Sequence, residues 1–342
     1  MAIYISRSQL ISRTSEIIGY KSGLGLTLEE FNDIVPSQFH SVWFGNNNDL
    51  LRIRSEEYED LITNLLYKVG NIPSPSTMPS SLILYKRYKN NPKLLKMYMD
   101  LTSSCITFLS QATLNLAESN KNKNNGVIDP SPYLIESGSK YGKKGFEMAL
   151  EIMKGINSEL HRSPWGEIRQ INWKDTAQLK NLFESESLET LYGKFIDQRF
   201  IDYLSHNFDS IGNIHWRKFE ALTCEFFEKQ GYYVEIGEGR NDDGIDARLW
   251  TQEIDKFGPP TIIIQCKRYK DKIEKMVVKS LWADIQEHDA KSGLIVTTSS
   301  LSPGAEKVCS ARNYPITQAN RDTLKQWITV MRTPYKGVYM AQ

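Results

Sequence analysis

Cysteine is scarce in this chain. Its four residues among 342, Cys105, Cys224, Cys266 and Cys309, lie far apart, with no CxxC pair and no histidine pairs nearby, which argues against both a disulfide scaffold and a structural zinc. Reduced thiols and a cytoplasmic location are the expectation. Long apolar runs are missing as well. The opening stretch MAIYISRSQLISRTSEIIGYKSG is interrupted by Arg7 and Arg13, and no later run approaches the roughly 18 apolar residues of a membrane span. Neither export nor a membrane partner is expected. An excess of one charge is also lacking: 42 Lys+Arg against 41 Asp+Glu give a net charge of +1, so affinity for nucleic acid has to come from local patches. No internal repeat is evident. A phosphate loop is approached but not reached by residues 138–144 (GSKYGKK), one residue short between glycines and without the Ser/Thr that ligates magnesium. That stretch reads as a basic surface loop.

The length leaves room for two or three domains with a sizeable core. Residues 1–120 read as mostly helical, with apolar residues at helical spacing over 49–69 and 92–117. The proline- and serine-rich stretch from Asn71 is a loop, and the polar run NKNKNNG from Asn120 reads as a linker with a boundary beside it. Residues 121–205 hold that linker and a second helical segment, with candidates at 145–160 and 173–207. From about 206 the texture changes to short β-branched and aromatic runs between helices, the pattern of an α/β domain over 206–342. The pattern predicts a helix over 215–230, strands near 232–236, 244–250, 261–267, 293–298 and 314–317, and helices near 274–289 and 303–311. Ser302, Pro303 and Glu306 form a sound start for the last of these.

The chain's chemistry gathers around TIIIQCKR, from Thr261, and the preceding Gly244-Ile245-Asp246. A β-branched run that ends in polar groups reads as a buried strand emerging at a cleft. Alternation puts Ile263, Gln265 and Lys267 on one face and Ile262, Ile264 and Cys266 on the other. On helix 215–230, Trp216, Phe219, Leu222, Thr223, Phe226 and Phe227 form the core-facing stripe. Glu220 is expected at its rim, with Glu225 and Glu228 on the opposite, wet face. Asp246, Gln265, Lys267 and Glu220 are then two acids, a neutral oxygen ligand and an ammonium that an α/β sandwich can bring together. Magnesium prefers such oxygen donors, and a metal of this kind activates water and neutralises phosphodiester charge. Asp246 and Lys267 are expected to be exposed there, and Asp242 and Asp243 rank below Asp246 as further ligands. Each residue also has a plainer interpretation: Asp246 as a turn carboxylate after Gly244, Gln265 and Lys267 as an exposed strand end, Glu220 as a solvated acid beside Arg217 or Lys218. Singly these are favoured, and jointly they are not. His215 and His288 fit surface or capping positions, and Cys266 the core.

The order FEALTCEFFEKQGYYVEI, NDDGIDA, IIIQCKRYK and SGLIVTTSSLSPGAEK resembles the Mrr-type restriction endonuclease domain of the PD-(D/E)xK nuclease superfamily, in its Gln-x-Lys variant, over about 214–327. The resemblance implies a restriction-endonuclease-like fold, with a central mixed β-sheet flanked by helices. It also implies a metal-dependent DNA endonuclease in which Asp246 and Gln265 hold Mg2+ (or Mn2+), Lys267 is the catalytic lysine and Glu220 the helix carboxylate, and it places the activity in restriction or antiviral defence. Gln265 stands where most of the superfamily carries an acid, which makes the site one negative charge poorer. Residues 1–205 resemble no family.

Arg268, Lys270, Lys272 and Lys275, with Tyr269 among them, make a basic segment beside the site that suits the phosphate backbone of double-stranded DNA. The helical region before 206 is expected to choose targets, sense a signal or assemble subunits. A homodimer or larger assembly is expected, since one site cuts one strand, and helix 92–117 is the favoured source of contacts. The competing function is a nucleic-acid-binding module with an inactive nuclease fold. Such a decayed site should have lost Asp246 or Lys267, and both are present.

Overall fold

The computed structural model describes residues 2–119, 128–169, 171–239 and 244–332. The polar run from Asn120, Asp242 and Asp243 lie outside the described residues. From Trp216 onward a mixed five-stranded sheet forms the centre, in the order Tyr233–Ile236, Ala247–Trp250, Ile262–Lys267, Ser292–Thr297, Ile316–Ala319. The first three strands are antiparallel to one another and the last three parallel. The parallel strands are connected by helices Lys275–Glu287 and Pro303–Ala311, as parallel pairing demands. These helices cover one face of the sheet, where Ile263, Ile295, Val278, Leu281 and Ile285 share a core. Helix Trp216–Lys229 covers the other, above Ile264, Leu249 and Val296. Helix Arg321–Met331, which the sequence pattern did not suggest, joins it there through Trp327, stacked on Phe226 at 4.2 Å.

The core on that second face does not end with the α/β segment. One cluster of buried side chains runs from Ile5, Leu10 and Trp43 through Leu61, Phe200 and Leu204 to Phe219, Ile264 and Met331. A separate core gathers Tyr98, Cys105, Tyr133 and Met148 from helices Pro92–Ser119 and Ser131–Arg162 together with Leu84 of helix Ser80–Tyr88. The division expected near 120 thus falls between two helices that bury their apolar faces against each other. Lys21 ties the start of the chain to the end of this unit: its buried Nζ donates to the carbonyls of His161, Gly166 and Ile168 at 2.6, 3.1 and 2.8 Å.

Three local expectations are corrected. Residues 49–69 are not one helix, because Leu50–Arg54 is a strand, paired antiparallel with Ala2–Ser6, and only Ser55–Lys68 is helical. Residues 138–144 lie within helix Ser131–Arg162, which breaks at Gly142, where φ is 64°. Residues 173–207 form two helices, Leu179–Glu184 and Gln198–His206, separated by an irregular stretch that folds onto helix Trp216–Lys229.

Candidate nuclease site

The site lies where strands Ala247–Trp250 and Ile262–Lys267 meet helix Trp216–Lys229. Gly244 has a φ of 85°, a conformation costly for any residue with a Cβ, and it turns the chain so that Asp246 precedes its strand. There the N–H of Asp246 donates to Ile264 at 3.0 Å. Its Oδ2 in turn accepts from the N–H of Cys266 at 2.5 Å, so the carboxylate is clamped against the backbone between Gln265 and Lys267. The strand alternates as expected: Ile263 enters the core of one face, while Ile264 and, partly, Cys266 enter that of the other.

Gln265 is only 5% exposed. Its Nε2 donates to the carbonyl of Gly244 at 3.2 Å, whereas its Oε1 is buried with no hydrogen-bond partner among the described residues. A buried acceptor left without a donor costs about 1–3 kcal/mol. Asp246 and Glu220 are 8% and 5% exposed, so neither the exposed position expected for Asp246 nor the rim position expected for Glu220 is found. Both acids lie inside the junction of helix and sheet.

The Glu220 carboxyl is pushed up to about 8, first by burial and then by the Asp246 charge, against the downward pull of Arg217. Arg217 supplies the cation: one arm donates to Glu220 Oε2 at 2.8 Å and the other to the carbonyl of Gly237 at 2.7 Å. Gly237 is itself bonded through its N–H to the carbonyl of Asp246 at 2.8 Å. Arg217 therefore closes a loop of contacts around the two acids. Lys218, the other cation considered beside Glu220, donates instead to the carbonyl of Ser187.

Lys267 is half-buried at the end of its strand, and among the described residues its ammonium has no ion pair. Beyond it Arg268, Tyr269, Lys270, Lys272 and Lys275 are all exposed, with Arg268 held to the carbonyl of Gly212 at 3.0 Å. Cys266 packs against Thr223 Oγ1 at 3.6 Å, and burial, reinforced by the Asp246 charge, raises its thiol well above the ordinary range. His215 caps helix Trp216–Lys229, its Nδ1 accepting from the N–H of Arg217 at 3.2 Å.

Glu225 is a third acid that sequence reasoning misplaced. It is buried, and its Oε2 accepts the N–H groups of Lys194, Phe195 and Ile196 at 2.9, 2.8 and 3.4 Å, while Lys229 approaches Oε1 at 3.4 Å. The face of the helix expected to be wet is covered by the stretch between Glu184 and Gln198.

Among the described residues no cluster of three or more His, Cys, Asp or Glu gathers anywhere, so the donors here are two carboxylates and an amide. That set nonetheless fits a divalent cation. Two buried acids, and an amide oxygen without a donor among the described residues, are groups that a hard cation satisfies.

Residues 211–328 match the family model for restriction endonucleases of the Mrr type, and the C-terminal part of the chain is a restriction-endonuclease domain of this family. A solved structure described as the MspJI restriction endonuclease in complex with a 27-mer oligonucleotide aligns with a TM-score of 0.28 and 16% identity, covering 50% of this chain and 37% of that one. No curated protein matches the chain. No helix among the described residues is long and apolar enough to cross a membrane.

Proposed function

We propose that the protein is a metal-dependent endonuclease that hydrolyses phosphodiester bonds in double-stranded DNA, acting in restriction or phage defence. The single observation behind this reading is the buried Oε1 of Gln265, without a hydrogen-bond donor among the described residues, on the residue next to the Cys266 N–H that holds Asp246, in a domain of the restriction-endonuclease family. Asp246, Glu220 and Gln265 would hold Mg2+ or Mn2+. When bound, such an ion supplies Lewis acidity toward the phosphate and a more acidic water. Lys267, at the mouth of the site, supplies an ammonium to orient that water and to meet charge developing on the phosphate. Arg268, Lys270, Lys272 and Lys275 hold the backbone in place, since phosphate contacts fix position without reading sequence. The region before residue 206 serves target choice, sensing or assembly.

The test is incubation of the purified protein with supercoiled, linear and methylated DNA in Mg2+, Mn2+ or EDTA. Nicked or linearised product with metal and none with EDTA is expected. Intact DNA under every metal condition, or equal cleavage in EDTA, overturns the reading.

A further inference from the structure

Helix Pro92–Ser119 turns Tyr98, Leu101 and Cys105 into the core it shares with helices Ser80–Tyr88 and Ser131–Arg162. Its opposite side faces water and carries three large apolar residues, Met99, Ile106 and Leu114, at 60%, 62% and 62% exposure, among the exposed polar side chains of Ser103, Thr107, Ser110 and Gln111. Leu82 and Tyr85 of the neighbouring helix complete a groove of about 500 Å3 beside Met99 and Ile106. Residues 101–117 contain no charged side chain. The threonines are already satisfied within the helix, with Thr102 donating to the carbonyl of Tyr98 and Thr113 to that of Leu109, both at 2.8 Å. Burying this surface would strand neither donor.

We propose that a second copy of the chain docks on this face, with the two helices Pro92–Ser119 antiparallel across a two-fold axis near Ile106. Two observations select a second copy. A two-fold contact sets a surface against itself, so a charged face would oppose like charges, and this one has no charge from residue 101 to 117. The exposed apolar residues are also disposed symmetrically, with Met99 about two turns before Ile106 and Leu114 about two turns after. In an antiparallel pair Met99 meets the partner's Leu114, and the two Ile106 side chains face each other at the axis. From Met99 to Leu114 the helix rises about 22 Å, a seam long enough for several layers of side chains. Nearby surface is less suited to self-contact, since Lys140, Lys143, Lys144 and Glu147 stand along helix Ser131–Arg162. If the nuclease reading holds, the pair offers one site to each antiparallel strand of a duplex.

Light scattering on the full chain, without DNA or metal, tests the pairing independently of nuclease activity. A dimer is expected, and Ile106→Glu should give a monomer with an unchanged circular dichroism spectrum. Against the background of the unmodified chain, Ile106→Cys should cross-link to itself, which keeps the test informative if the glutamate variant fails to fold. Met99→Cys should cross-link to Leu114→Cys in a mixture and not to another Met99→Cys. A monomeric wild-type protein, a dimeric Ile106→Glu protein, or cross-linking between two Met99→Cys chains overturns the proposal.

Discussion

The backbone N–H of Cys266 donates to Asp246 Oδ2 at 2.5 Å, so the carboxylate just before one strand is anchored on the next, between the two residues that carry the amide and ammonium of the site. The acid is thereby both a proposed metal ligand and a structural acceptor, and a test of its chemistry has to keep the second role.

Asp246→Asn retains an acceptor oxygen for Cys266 and removes the charge. Metal-dependent cleavage is expected to fall by more than roughly 100-fold, while the melting temperature stays close to wild type. Asp246→Ala should lose activity and also stability, by about 1–3 kcal/mol, because the Cys266 N–H is left buried without an acceptor. Plasmid nicking and thermal denaturation on both variants check this, and a wild-type rate in Asp246→Asn would remove Asp246 from the site.

Lys267→Ala is expected to abolish cleavage and leave stability within about 0.5 kcal/mol, since the side chain is half-buried and makes no ion pair among the described residues. Affinity for duplex DNA should change little, as the exposed basic segment beyond it is intact. Parallel gel-shift and cleavage assays separate the two effects.

Glu220 sets a pH dependence whose sign follows from its raised carboxyl, at about 8 in the folded protein. The folded state binds the proton more tightly than the unfolded state, whose carboxyl titrates near the ordinary 4.5. Its contribution to stability is therefore fully present below that value and is lost as pH rises toward and through about 8. Without metal, the melting temperature should fall across this window, and Glu220→Gln should flatten the fall. Mg2+ should raise the wild-type melting temperature more at pH 8 than at pH 6; an equal rise at both would detach Glu220 from the metal.

Neutralising Lys270, Lys272 and Lys275 together should weaken duplex binding and lower the dependence of log affinity on log salt by about 0.9 for each phosphate that these side chains no longer neutralise. Titrations at several salt concentrations measure that slope, and an unchanged slope would place the DNA on another face.

Glu225→Ala removes the acceptor of three backbone N–H groups in the interior. Urea denaturation should show a loss of roughly 3–5 kcal/mol, the range for breaking a buried charged contact. A loss below about 1 kcal/mol would mean that the amides find water instead.

Much of the fold around the candidate site was legible because it is written in local patterns. Strand alternation separated Gln265 from Cys266, and the ordered blocks around Asp246 and Lys267 pointed to the family. Burial was not legible. Helical periodicity assigns one dry face to a helix, and it placed Glu225 outside because nothing local signals that residues 185–197 return over that face. Leu50–Arg54 was missed for a related reason: its partner strand begins at Ala2, although the alternation Leu51-Arg52-Ile53-Arg54 was an available period-two signal. The apolar content of residues 92–117 fitted core and interface alike, and only the structure shows that Met99, Ile106 and Leu114 face outward.

The core that runs unbroken from Ile5 to Met331 bears on how this protein can diversify. Where a recognition region hangs from a linker, recombination can exchange it whole, like a cassette. Here Leu61, Phe200 and Leu222 belong to one buried cluster, so a foreign leading region would leave apolar surface beside the sheet exposed to water. Change in the leading region is therefore open mainly to stepwise substitution on outward surfaces, with the buried seam inherited intact.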